Sequence, residues 1–191
     1  MYLSKWLLGI SLVYLIHSTG LAQTNLRVSV MNQALSLPSL NVLHLPLHPG
    51  LTIGSDLLIK NHKRWHTTLG ADLTFFHHRL SENALMLDAV YGLGYKFDFG
   101  LQPRFLAALG YKHSLAAGEV YKLRDGAYEK TFYWGKPQFN FKVGFGFEYP
   151  LSRTYSLTTD YKTMIALPYS QKIAFSLHTL LSVGIKVNLK N

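Results

Sequence analysis

Gln138-Phe139-Asn140-Phe141-Lys142-Val143-Gly144-Phe145-Gly146-Phe147-Glu148-Tyr149 is the stretch on which the fold turns. Its odd-numbered members are aromatic or branched, and its even-numbered ones are polar, charged or glycine. Successive side chains of a β-strand point to opposite faces, so this strand has one oily face and one wet one. The same parity runs through Gly50–Lys60, Trp65–Phe76, Leu85–Phe97, Leu101–Lys112, Thr154–Ile165 and Ile173–Leu189. A shorter run, Asn25–Asn32, alternates Leu26, Val28 and Val30 with Arg27, Ser29 and Met31. Most of these runs have the roughly 9–11 residues that a tilted strand needs to cross hydrocarbon.

Connection lengths supply an independent count. Asn61–Arg64, Asp98–Gly100 and Pro150–Arg153 are tight, whereas Gln33–Pro49, His77–Ala84, His113–Pro137 and Ala166–Lys172 are long. Membrane barrels place short turns in the periplasm and long loops outside. With Asn25–Asn32 included, long and short alternate throughout and both termini fall on the periplasmic side. The pattern predicts an all-β protein, an eight-stranded antiparallel transmembrane up-and-down β-barrel. Within His113–Pro137, Asp125-Gly126 favours a tight hairpin turn between Val120–Leu123 and Tyr128–Tyr133, which predicts a protruding ribbon.

Volume decides which face is inside. The interior of an eight-stranded barrel is just wide enough to be filled by side chains. Leu51, Ile53, Leu57, Ile59, Leu69, Leu73, Phe75, Leu87, Tyr91, Leu93, Phe105 and Leu109, with the sixth strand's aromatics, are too bulky for it. The opposite face is rich in glycine, which suits a crowded lumen. A soluble barrel with an oily interior is therefore excluded. Trp65, Tyr95, Phe97, Phe147, Tyr149 and Tyr155 near one end, and Phe75, Tyr111, Phe139 and Phe175 near the other, match two interfacial girdles.

The wet face carries Asp56, Asp72, Asp88, Glu148 and Asp160 against Lys96, Arg104, Lys142, Lys162 and Lys186, together with His178. Carboxylates in a narrow lumen are costly unless paired, so cross-strand ion pairs are expected. A selective pore would use such a lining, but open aqueous channels belong to much larger barrels. The expected result is a salt-bridged plug.

The chain has nine histidines. His44, His48, His77, His78 and His113 fall in or beside the long loops, where imidazoles could converge on a metal. No compact ligand motif accompanies them, so no metal or cofactor is expected. Ser/His/acid chemistry is the enzymatic alternative for an outer-leaflet barrel. The nearest fragments, His113-Ser114 and Leu177-His178-Thr179, lack a spaced acid and the His-x-Ser pattern of lipid A deacylases. No catalytic residue is expected. Arg79, Lys122, Arg124 and Trp134 join the loop histidines as candidates for binding lipopolysaccharide, a neighbouring transporter or an external ligand. Lys112, Lys130, Lys136 and Lys172 are placed on the same outer side.

The N-terminus reads as a targeting segment. Lys5 precedes the apolar run Trp6–Ile16, and Gly20-Leu21-Ala22 forms a small-x-small cleavage site. The expected division is 1–22 signal peptide and 23–191 barrel. The formal net charge of +9 suits anionic lipid. With no basic stripe, recognition helix or RNA-binding motif, nucleic acid is not an expected partner. Cysteine is absent, so disulfides and thiolate metal sites are excluded. A mean hydropathy of +0.09 excludes a polytopic helical protein.

Several short motifs carry a resemblance. They are His48-Pro49-Gly50-Leu51, His78-Arg79, Gly110-Tyr111-Lys112-His113-Ser114, Glu119-Val120-Tyr121-Lys122 with Asp125-Gly126, and Leu167-Pro168-Tyr169. Across Leu47–Val187 the chain resembles small outer-membrane barrels of Bacteroidota. The resemblance implies an eight-stranded barrel of the OmpA-transmembrane or OmpX type, with no catalytic residue or cofactor to carry over. The chain departs from the aromatic ending of many such barrels, closing on Leu189-Lys190-Asn191.

Overall fold

The computed structural model describes residues 25–35, 47–79, 81–124, 126–169 and 173–189. The expected signal peptide and His44 lie outside the described residues. Ten strands follow in chain order: β1 Asn25–Ala34, β2 Pro49–His62, β3 Trp65–His77, β4 Glu82–Tyr95, β5 Gln102–Ala116, β6 Val120–Arg124, β7 Ala127–Thr131, β8 Lys136–Pro150, β9 Tyr155–Leu167 and β10 Ser176–Asn188. Eight close into an antiparallel barrel in the order β1-β10-β9-β8-β5-β4-β3-β2, while β6 and β7 pair only with each other. Closure by β1 against β10, from Asn25 opposite Asn188 to Ala34 opposite Thr179, leaves no barrel edge unpaired.

The side-chain parity survives in three dimensions. On β8 every even position from Gln138 to Glu148 is buried, and every odd one from Phe139 to Tyr149 is exposed. Large apolar side chains of all eight barrel strands stand on the outside. Such an apolar jacket is a lipid-facing surface, and the chain is a transmembrane β-barrel. At the short-turn end Trp65, Tyr95, Phe97 and Phe99 form a chain of ring contacts, with centroids 5.0–5.3 Å apart.

Three expectations change. The connection 78–81 between β3 and β4 is shorter than 96–101 between β4 and β5, so long and short connections do not alternate throughout. A β-bulge between Asp56 and Leu58 turns both Leu57 and Leu58 outward and sets Ile59 opposite Thr68, a lumen residue. Ile59 is half-buried instead of lipid-facing, because one extra residue reverses the parity beyond it. Lys96 is not in the lumen. β4 ends at Tyr95, the Lys96 amide bonds the Arg64 carbonyl at 2.7 Å, and its side chain is exposed in the turn.

Two lumen glycines show why small residues stand opposite the carboxylates. Gly54 pairs with Asp72 and Gly146 with Asp160. A Cβ on either glycine would collide with the partner's carboxyl group. These acids lean across their neighbours to reach the barrel axis.

Candidate functional site

The short-turn half of the lumen holds a closed circuit of eight charges. Arg27 bonds Asp72 at 2.5 Å and approaches Asp56 at 3.9 Å. Lys186 lies 3.0 Å from Asp56 and 3.1 Å from Glu148. Arg104 meets Glu148 at 3.1 Å and Asp160 at 3.0 Å. Lys162 closes the ring, 3.4 Å from Asp160 and 4.0 Å from Asp72. Acids and bases alternate, so each charge has an opposite neighbour on both sides. Desolvating charge in this way is tolerable because every charge of the ring is compensated, although Arg104 Nε is buried with no hydrogen-bond partner among the described residues. Asn25 adds two hydrogen bonds to Asp56, one from its Nδ2 to the carboxylate and one from the Asp56 amide to its Oδ1.

Above the ring, Lys142 bonds Asp88 at 2.5 Å. A cavity of about 20 Å³ lies there, lined by residues that include Thr52, Thr74, Asp88, Lys142 and Ser182, with room for about one water. Further toward the long-loop end, Met31, Phe76, Ala84, Met86, Met164 and Leu180 pack as an apolar layer. The lumen is thus obstructed by two chemically different barriers in series.

Beyond that layer is a second polar cluster. Glu82 pairs with Lys112 and accepts a hydrogen bond from Ser114. Fully buried Lys112 also stands over the Phe76 ring, 5.7 Å from its centroid. His178 lies 2.8 Å from both Ser176 and the Gln33 amide, and 4.0 Å from Glu82. Gln33 Oε1, His78 Nδ1, Gln138 Oε1 and both amide atoms of Asn140 are buried without a hydrogen-bond partner among the described residues.

Sequence reasoning placed Asp56, Asp72, Asp88, Arg104, Lys142, Glu148, Asp160, Lys162, Lys186 and His178 in the lumen, and all ten are buried there or lie at its axis. It missed Arg27, whose odd position is inward because β1 carries the opposite parity to the later strands. It also missed Lys112, assigned to the outer side although its even number on β5 marks it as inward. Glu82 falls in the connection His77–Ala84 that the pattern assigns to loop, and no periodicity reaches it until β4 is seen to start there.

At the long-loop rim the candidates do not converge on one point. His48 and His78 stack with ring centroids 3.6 Å apart and planes at 18°, and both are buried. Burial, and the other histidines of the rim, hold both imidazoles below their ordinary pKa. His77 is exposed and bonds Asn83 at 2.6 Å. Arg79 is exposed. His113 bridges Tyr111 and the Trp134 carbonyl at 2.8 and 2.7 Å. Among the described residues, no three histidines or acids are grouped to hold a metal ion.

The ribbon β6–β7 pairs Tyr121 with Lys130 and Leu123 with Tyr128, so these four share one face. Lys122, Arg124 and Glu129 occupy the other, with Arg124 3.8 Å from Glu129. Glu119 bonds Tyr121 and Lys130, and these two donors hold its carboxyl below the usual carboxylate range. Phe132 and Trp134 follow as an edge-to-face pair, centroids 5.0 Å apart.

No protein-family model matches the chain, and no curated protein matches it in sequence. Among solved structures it is similar to Neisserial surface protein A, at 12% identity over 88% of this chain and 98% of that one, with a TM-score of 0.55. It is also similar to Ail, the attachment invasion locus protein of Yersinia pestis, in its complex with the heparin analogue sucrose octasulfate. That match has 8% identity over 86% of this chain and 96% of that one, with a TM-score of 0.50. At such identities the likeness is one of fold.

Proposed function

We propose that this chain is a non-enzymatic outer-membrane protein that works by display. The barrel is an anchor in the outer membrane of a Gram-negative bacterium, both termini are periplasmic, and the β6–β7 ribbon projects outward to bind. The resemblance to OmpA-type or OmpX-type barrels of Bacteroidota agrees with this reading. The observation that carries it is the closed ring of Arg27, Asp56, Asp72, Arg104, Glu148, Asp160, Lys162 and Lys186. A lumen barred by compensated charge and then by an apolar layer does not conduct. The exposed work falls to the rim and ribbon, as it does where a rigid scaffold positions binding loops. Lipopolysaccharide, a neighbouring transporter and an external ligand are the partner classes within reach.

The test has two arms. Deleting Val120–Tyr133 leaves a folded barrel, seen as retained heat-modifiable migration on gels, and abolishes binding at the cell surface. In planar bilayers the intact protein gives no stable unitary currents. Loss of the barrel on deletion, or a steady conductance, defeats the proposal.

A further inference from the structure

The ribbon, a sheet separate from the barrel, exposes aromatic surface of its own. Tyr128 is 76% exposed, Phe132 75% and Trp134 80%, with Tyr121 and Leu123 also open. Elsewhere on the barrel the exposed apolar side chains form the lipid-facing jacket. These stand beyond it, and large exposed apolar patches mark interaction sites.

Two observations identify what covers them. The first is continuity with the lipid-facing surface. Tyr111 and Phe139 sit opposite each other on β5 and β8 in the lipid-facing row at the long-loop end. From Tyr111 the hydrogen bonds run through His113 to the backbone of Trp134, so the base of the ribbon is tied to the membrane interface. Gly135, at φ 86°, makes the turn between Trp134 and β8. Trp134 is therefore tied through its backbone to the rim at Tyr111, with Phe132 against its ring.

The second is charge. On the aromatic face Lys130 is already paired with Glu119, and on the opposite face Arg124 approaches Glu129. The platform is aromatic and nearly neutral, with hydroxyl, carboxylate and ammonium groups at its margin. That chemistry suits stacking on sugar rings with hydrogen bonds at the edge. It does not suit capture of a polyanion.

We infer that the face formed by Tyr121, Leu123 and Tyr128, with Phe132 and Trp134, docks on the saccharide headgroup of the outer-leaflet glycolipid beside β5 and β8. This inference rests on the display reading above and names its partner. His113 is a positioning residue that fixes the height of Trp134 in that layer.

Protein carrying Trp6→Phe and Trp65→Phe, so that Trp134 alone reports, is placed in nanodiscs of phosphatidylcholine, of phosphatidylglycerol, or containing rough-type lipopolysaccharide. Quenching of Trp134 by aqueous acrylamide is then measured. Trp134 is expected to be shielded in the glycolipid discs and open in the other two. The shielding should persist at roughly 0.5 M salt, where exposed charges are screened. Soluble, dephosphorylated core oligosaccharide should compete for the same face. Tyr121→Ala with Tyr128→Ala should weaken that competition by about tenfold, the worth of one to two ring contacts. Lys122→Gln with Arg124→Gln should change it by less than about twofold, being on the other face and exposed.

Equal quenching in all three discs overturns the inference, as does shielding by phosphatidylglycerol or shielding lost in salt. If the intact protein shows no glycolipid shielding but deleting Val120–Tyr133 still abolishes attachment, this inference falls and the display reading stands. If the deletion changes nothing at the surface, both fall.

Discussion

The two halves of the lumen solve the same problem in opposite ways. Toward the short turns every acid of the ring finds bases on both sides, and Asp56 is further tied by Asn25. Toward the long loops, Asn140 is fully buried with neither amide atom bonded among the described residues, and Gln33 and Gln138 each keep an oxygen unpartnered there. Between them lies the layer of Phe76, Met86, Met164 and Leu180. A satisfied network rigidifies, whereas a partly satisfied one leaves room for water and rearrangement. The contrast teaches that this barrel is locked at one end and adaptable at the other, which is where the display elements attach.

The strongest way to break that contrast is at the ring. Arg104→Ala leaves Glu148 and Asp160 each short of one partner in a desolvated site. It should cost about 3–5 kcal/mol, the range for breaking a buried pair. Urea titration of the barrel in lipid, followed by tryptophan emission and gel mobility, measures it. A loss under about 1 kcal/mol would mean that water already screens the ring.

A smaller effect of opposite sign is expected at the other end. Asn140→Leu removes two unpartnered polar atoms from a buried position at similar volume. It should be neutral or stabilise by about 1 kcal/mol in the same titration, since an orphaned buried group carries its desolvation cost without return. Strong destabilisation would show that Asn140 is fully engaged through water.

The smallest effect is one of pH. His48 and His78 have pKa values depressed in the folded state, so the unfolded chain binds protons first as pH falls. Their contribution is complete above about pH 6.5, the unfolded value, and is lost as pH drops through the lower folded values. Two imidazolium rings 3.6 Å apart repel, with His77 adding to that repulsion and Glu82 opposing it. Acidification should increase protease cleavage at the long-loop rim while the barrel stays intact. His48→Phe should remove most of that pH dependence. Unchanged cleavage between pH 7 and 5 would contradict the assignment.

Most of the barrel was legible in the chain. Eight strands, the outward oily face and the β6–β7 hairpin all follow from period-two patterning and from Asp125-Gly126, whereas the strict alternation of connection lengths does not hold, because β3 and β4 run further toward each other than the pattern shows. The failures have local causes. Ile59 was misplaced because a bulge is invisible to a pattern that assumes unbroken pairing. Parity points Lys96 inward because it does not announce that β4 stops at Tyr95. Arg27 was overlooked because its strand runs with the opposite phase, and Glu82 because a strand's first residue looks like loop. The stacking of His48 on His78 had no signal in the chain at all, since it joins the ends of two loops.

The amino-acid order alone determined which side chains face lipid and which face the axis, because that choice repeats every two residues and needs only the neighbouring bond angles. It could not determine which charge meets which. Arg27 on β1 reaches Asp72 on β3, Lys186 on β10 reaches Glu148 on β8, and Arg104 on β5 reaches Asp160 on β9, each passing over an intervening strand. Those distances exist only once β1 has closed on β10 and the register has set the height of every residue. Circumference and stagger belong to the whole cylinder, so the ring that seals the lumen is a property of tertiary structure.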